Sequence, residues 1–106
     1  MAYTVTWVLT RPDADTVLPT IASISPDNKS ESDAILDAAG VTKTYEVDGL
    51  VTRVVYTFED KAQHDALDFS GTTDHASMRA TYKQQLIDRN ISLNITDSDG
   101  ATIADY

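Results

Sequence analysis

From Lys43 to Glu59 the chain holds two β-prone runs, Lys-Thr-Tyr-Glu-Val and Leu-Val-Thr-Arg-Val-Val-Tyr-Thr-Phe-Glu, separated by Asp48-Gly49. Asp-Gly between two such runs is the strongest short-range hairpin signal, and it points to a type I′ turn with positive φ at both central residues. Side chains alternate along a strand, so Leu50, Thr52, Val54, Tyr56 and Phe58 share one face of the second arm, and Val51, Arg53, Val55 and Thr57 share the other. Valine on both faces marks a strand in the interior of a sheet, covered on both sides.

The remaining chain supplies partners for this hairpin. Residues 3 to 11 alternate Tyr3, Val5, Trp7, Leu9 with Thr4, Thr6, Val8, Thr10, the period of a half-buried strand, and Pro12 ends it. Residues 13–26 read as an irregular apolar arm or loop: Val17, Leu18, Ile21 and Ile24 are too apolar for a free linker, and Pro19 and Pro26 interrupt a helix. Ser30 to Gly40 carries helix punctuation, with Ile35, Ala38 and Ala39 on one narrow stripe. After the hairpin, Asp60 caps a helical segment running to about Ser70, with Ala62, Ala66 and Phe69 inward. Gly71 interrupts it, and Thr73 or Asp74 caps a longer helix to about Asn90 with Met78, Tyr82 and Leu86 at helical spacing. Ile91, Leu93 and Ile95 then alternate as a strand, Asp97-Ser-Asp-Gly100 turns the chain, and Ala101 to Tyr106 returns as a short strand.

Strand, helix, strand, strand, helix, strand is the split βαβ order of the ferredoxin-like α+β sandwich, here with an extra C-terminal β-hairpin. Both helices are expected on one face of an antiparallel sheet, in a single domain of 106 residues that is 42% hydrophobic. The opposite face then holds Thr4, Thr6, Val8, Thr10, Val51, Arg53, Val55, Asn94 and Thr96. It carries one charge in a chain that is 24% charged. A sheet face meant only for water shows more charge, so this one is expected to be covered by another copy or a larger assembly.

Composition removes several function classes. Seventeen acidic against eight basic residues give a net charge of −9, which repels phosphate backbones and anionic membranes. No cysteine is available for disulfides, thiolate metal sites or nucleophilic catalysis. The first residues read as a strand rather than a signal peptide, and no run is long and apolar enough to span a bilayer. A soluble cytoplasmic or virion-associated protein is the expectation.

No catalytic constellation emerges, and no cofactor or metal is implied. His64 and His75 lack metal-ligand spacing and read as surface helix histidines. Asp97-x-Asp99-Gly100 fails as a calcium loop, because with Gly100 as its sixth position the first falls on Ile95 and the twelfth on Tyr106. Phosphate-cradling glycine patterns and serine-nucleophile elbows are absent.

Two functional expectations follow. The first is a non-enzymatic structural protein that oligomerises or docks on a larger complex, a phage capsid decoration or tail-associated subunit being the concrete case. Its interface residues would be Thr4, Thr6, Val8, Val51, Arg53 and Val55 on the sheet, with Val17, Leu18 and Ile21 on the arm. The second is a dimeric α+β barrel that binds or oxidises a small hydrophobic molecule without a cofactor, in a pocket lined by Trp7, Tyr56 and Tyr82. Chain length and element order are similar to those of the antibiotic-biosynthesis-monooxygenase-like group, a resemblance of element order alone.

Overall fold

The computed structural model describes residues 2–106. Its elements run β1 (Tyr3–Thr10), α1 (Ile21–Ile24), α2 (Pro26–Ala38), β2 (Thr42–Asp48), β3 (Val51–Phe58), α3 (Lys61–Ala66), α4 (His75–Asp88), β4 (Ser92–Asp97) and β5 (Thr102–Asp105). The strands form one antiparallel sheet in the spatial order β2-β3-β1-β4-β5. β1 and β2 therefore run parallel with β3 between them, and β3 and β4 run parallel with β1 between them. These are two interleaved split βαβ units, the ferredoxin-like arrangement, and β5 extends it as the second arm of a C-terminal hairpin.

Alternation decides what is buried. Tyr3, Val5 and Leu9 of β1, Phe58 of β3, and Leu93 and Ile95 of β4 form the core with Ile91 and with Leu86 of α4. Leu36 of α2, Leu67 and Tyr82 pack against that cluster, so both long helices lie on the same face of the sheet. Leu86 and Leu93 are the most buried of these, at 0% and 1% exposure.

The hairpin turn sits one residue further on than Asp48-Gly49. Asp48 pairs with Val51 as the last residue of β2, and Gly49-Leu50 is the loop. Gly49 alone takes a positive φ, +59°, which fits a type II′ turn, whose first central residue is glycine. Arg11 secures this loop: its backbone N–H donates to the Leu50 carbonyl at 3.0 Å, and its guanidinium donates to the carbonyls of Gly49, Ala14 and Thr16.

The segment expected to be irregular is partly helical. Thr20 caps the single turn of α1, and α2 starts at Pro26 rather than Ser30, with Ser25 as its N-cap and Pro26 at its first turn. Proline there forfeits no hydrogen bond, since the first N–H groups of a helix have no intrahelical partner. Leu36 takes the core contact expected of Ala38, which is exposed. Asp60 caps α3 as expected, but that helix ends at Ala66, and Ala62 and Ala66 face solvent while Leu67 packs inward. The two segments around Gly71 are separate helices. Asp74 begins the second from a left-handed conformation, φ +55°, with no side-chain cap.

A buried polar lock joins α2 to the connection before α4. Asn28 is fully buried, and its amide nitrogen donates to Thr72 Oγ1 at 2.9 Å and to the Thr73 carbonyl at 2.8 Å. Its amide oxygen accepts from Ser32 Oγ, while Ser25 Oγ donates to Asp74 Oδ2. Glu31 completes the lock by accepting from the Thr73 N–H at 2.8 Å and its hydroxyl at 3.0 Å.

Removing one partner from such a network leaves the others buried and unpaired, which costs about 1–3 kcal/mol. Asn28→Ala should therefore lower the unfolding free energy by about that amount in urea titrations. Ser30→Ala, on the exposed side of the same helix, should change it by less than about 0.5 kcal/mol.

Candidate interaction surface

No helix covers the second face of the sheet, and the register assembles its side chains into rows. Thr44, Val55, Thr6, Thr96 and Thr102 form one row across all five strands. Glu46, Arg53, Val8, Asn94 and Asp105 form the next, and Asp48, Val51, Thr10 and Ser92 lie beyond it. On the other side Thr42, Thr57 and Thr4 complete the face. Glu46 and Asp48 on β2 and Asp105 on β5 place charge on the edge strands, and Arg53 on β3 is the one charge on the interior strands. The middle is threonine and valine.

All six sheet residues of the expected interface therefore lie on one contiguous surface. Thr4, Thr6 and Val8 face Thr57, Val55 and Arg53 across the β1–β3 ladder, and Val51 faces Thr10. Arg53 is exposed between Val8 and Glu46, and among the described residues it makes no ion pair. The arm residues belong elsewhere. Leu18 packs against the core, Val17 is 70% exposed with its carbonyl accepting from Arg89 Nη1 at 2.8 Å, and Ile21 opens α1, which lies against α4. The arm thus closes the helical layer and contributes nothing to the open face.

Trp7, Tyr56 and Tyr82 share the helix-covered side. Trp7 and Tyr56 meet edge-on with ring centroids 6.4 Å apart, and all three pack onto the core cluster. Burial pushes the Tyr82 hydroxyl up to about 12, with smaller contributions from Tyr106 and Tyr56, and it raises Tyr56 with help from the Asp33 charge. Two surface hollows exist, about 380 Å³ beside Ser25, Asp74 and Met78 and about 270 Å³ beside Tyr3, Lys61 and Ser98. None of the three aromatics lines either one.

His64 is a half-exposed histidine on α3 whose ring also packs inward. Its ring lies 5.1 Å from Tyr3 and 5.0 Å from Phe58, closing one end of the core, and Nδ1 is 2.9 Å from Asp65 Oδ1. Tyr3 donates its hydroxyl to Asp97 Oδ2 at 2.8 Å, and Asp97 Oδ1 accepts from the N–H groups of Asp99 and Ala101. Those bonds, the Ala101 N–H foremost and the Tyr3 hydroxyl next, hold the Asp97 carboxyl below its usual range. The carboxylate that resembled a calcium ligand is the organiser of the β4–β5 turn. Among the described residues no three acidic or histidine side chains converge as a metal site, and no helix is long and apolar enough to cross a membrane.

Burial, then the Asp97 hydrogen bond and charge, pushes the Tyr3 hydroxyl up to about 12. A raised pKa means that folding favours the neutral phenol. The stability it confers is complete below the unfolded-state value near 10 and is lost as pH climbs through the folded value. Each of Tyr3 and Tyr82 should contribute a decline of about 1.4 kcal/mol per pH unit between about pH 10 and 12. Urea titrations across that window should show a shallower decline in Tyr3→Phe; an unchanged slope would mean that Tyr3 ionises as readily folded as unfolded.

Compared with protein-family models, curated proteins and solved structures, the chain matches none.

Proposed function

We propose that the protein is a non-enzymatic assembly subunit that associates with copies of itself through the open face of its sheet. One observation carries the reading: an uncharged row of four threonines and a valine crosses all five strands, and Arg53 is the one charge that the three interior strands place on that face. Interface centres are depleted of charge in this way, and sheet faces pack on one another about 10 Å apart with short side chains interdigitating. Threonine suits such a contact, because its methyl group packs while its hydroxyl finds a partner across the interface. A capsid-decorating or tail-associated virion subunit is the concrete case, since a particle presents such a subunit with repeated neighbours. The small-molecule alternative lacks a comparable observation, because the aromatics expected to line its pocket pack edge-on instead.

Thr6 sits in the middle of the uncharged row and Val55 beside it. Val55→Glu and Thr6→Glu would each bury an unpaired carboxylate at the contact, a cost of several kcal/mol. Light scattering should show each variant at lower mass than the parent, with the dissociation constant raised about 100-fold or more. An unchanged mass would rule out the sheet-face contact. A saturable change in Trp7 emission on adding quinones or polyphenols would instead favour a small-molecule binder.

A further inference from the structure

The two edges of the sheet are built differently. β5 has four residues, its register shifts at Ile95/Thr96, and beyond it Tyr106 and Leu93 exchange backbone hydrogen bonds of 2.9 and 2.6 Å. Short, bulged edges resist pairing with another chain. β2 is neither short nor bulged, and its protection is limited to the charges of Lys43, Glu46 and Asp48. It runs seven residues without proline, keeps unbroken register with β3, and is exposed at every position. Tyr45 and Val47 are 63% and 54% exposed, beyond the cover of the helices.

The hairpin geometry fixes which backbone groups are free. A two-residue loop makes Asp48 and Val51 a hydrogen-bonded pair, and pairing alternates from there. The N–H and C=O groups of Lys43, Tyr45 and Val47 consequently point away from β3, each a donor and acceptor without a strand partner. We propose that these groups are met by the same strand of a second copy. The two β2 edges pair antiparallel about a two-fold axis centred on Thr44, which joins two five-stranded sheets into one of ten.

Charge selects both the occupant and the register. Centring on Thr44 sets Lys43 opposite the partner's Tyr45, twice by symmetry, so that each ammonium lies beside an aromatic ring. Thr42 falls opposite the partner's Glu46, and Thr44 meets the partner's Thr44. No like charges stand directly opposite one another; the two Lys43 side chains come together diagonally, each beside the partner's Tyr45 ring and its own Tyr56 ring. Centring on Glu46 would set carboxylate against carboxylate, and centring on Tyr45 would bring the two Glu46 side chains diagonally together. β2 thus pairs with itself with one diagonal like-charge contact, between two ammonium groups that each lie beside aromatic rings.

This contact is separate from the open face and does not rest on it. A chain carrying both has two distinct two-fold interfaces, and such a combination assembles four copies or more.

The variants separate the two contacts. Val55→Glu removes the face contact and should leave a dimer by light scattering and sedimentation; a monomer at millimolar concentration would overturn the edge pairing while leaving the face reading intact. Adding Tyr45→Lys sets like charges opposite Lys43 and should weaken that dimer about tenfold or more. Tyr45→Glu sets a carboxylate opposite Lys43 and should preserve it. Dissociation by Tyr45→Glu as complete as by Tyr45→Lys would overturn the proposed register. If Val55→Glu leaves the parent mass unchanged, the face reading fails and Tyr45→Lys alone decides: a fall in mass supports the edge contact, and no fall overturns it. Position 45 is exposed, so the fold should survive each change, and a urea midpoint unchanged from the parent's checks this.

Discussion

The pairing of β1 on both sides is the constraint from which the rest follows. All eight of its residues are in register with β3 and six with β4, so its backbone hydrogen bonds are committed along most of its length. The remaining choice is which side chains face the helices. Tyr3, Val5 and Leu9 fill the core, and a slip of one residue would replace them with threonines whose hydroxyls would need buried partners. The composition of the open face is therefore fixed by the same alternation that builds the core. What is left to explain is why that second set is threonine and valine rather than lysine and glutamate.

The helical layer is held differently. α2 touches the core through Leu36, and the adjoining Val41 adds to that contact, so apolar burial alone gives it modest anchorage. The Asn28 lock supplies direction as well as stability. An amide that must satisfy Thr72 and the Thr73 carbonyl together tolerates few placements of the helix, and Glu31 restrains Thr73 a turn further along. Among the described residues no buried side-chain nitrogen or oxygen lacks a partner. The lock is complete, and a complete polar network specifies one arrangement where an apolar contact would accept several.

Much of this was legible in the sequence, and the omissions have physical reasons. The strands and both faces of the sheet follow from period-two alternation, a signal internal to each segment, and the strand order follows from the split βαβ succession of elements. The hairpin was legible but its loop was not, because Asp-Gly fits two turn types, and only pairing with β3 shows that Asp48 remains in the strand. Pro26 was read as a break although proline is welcome at the first turn of a helix, and Ser25 ahead of it was the available signal. Asn28 carried no signal at all: its partners lie 44 and 45 residues away, and an isolated polar residue in a helix reads as solvent-facing. The sheet part of the candidate surface was visible for the reason the strands were. The exposure of β2 was not, since it depends on where the helices stop covering the sheet.

Net charge sharpens the question of how copies meet. At −9, two chains repel one another at long range, and a contact forms only where short-range complementarity exceeds that repulsion. Acids occupy much of the exposed remainder: Asp27, Glu31 and Asp37 on α2, and Glu59, Asp60 and Asp65 around α3. Two regions depart from this pattern, the threonine-valine row and the Lys43–Tyr45 stretch of β2. Screening confines each charge's influence to roughly 8–10 Å at physiological salt, and Glu46 and Arg53, one repeat or roughly 7 Å along their strands from the row, lie within that reach of it. An acidic surface of this kind would direct any association of copies as well as oppose it, leaving few approaches on which like charges do not meet.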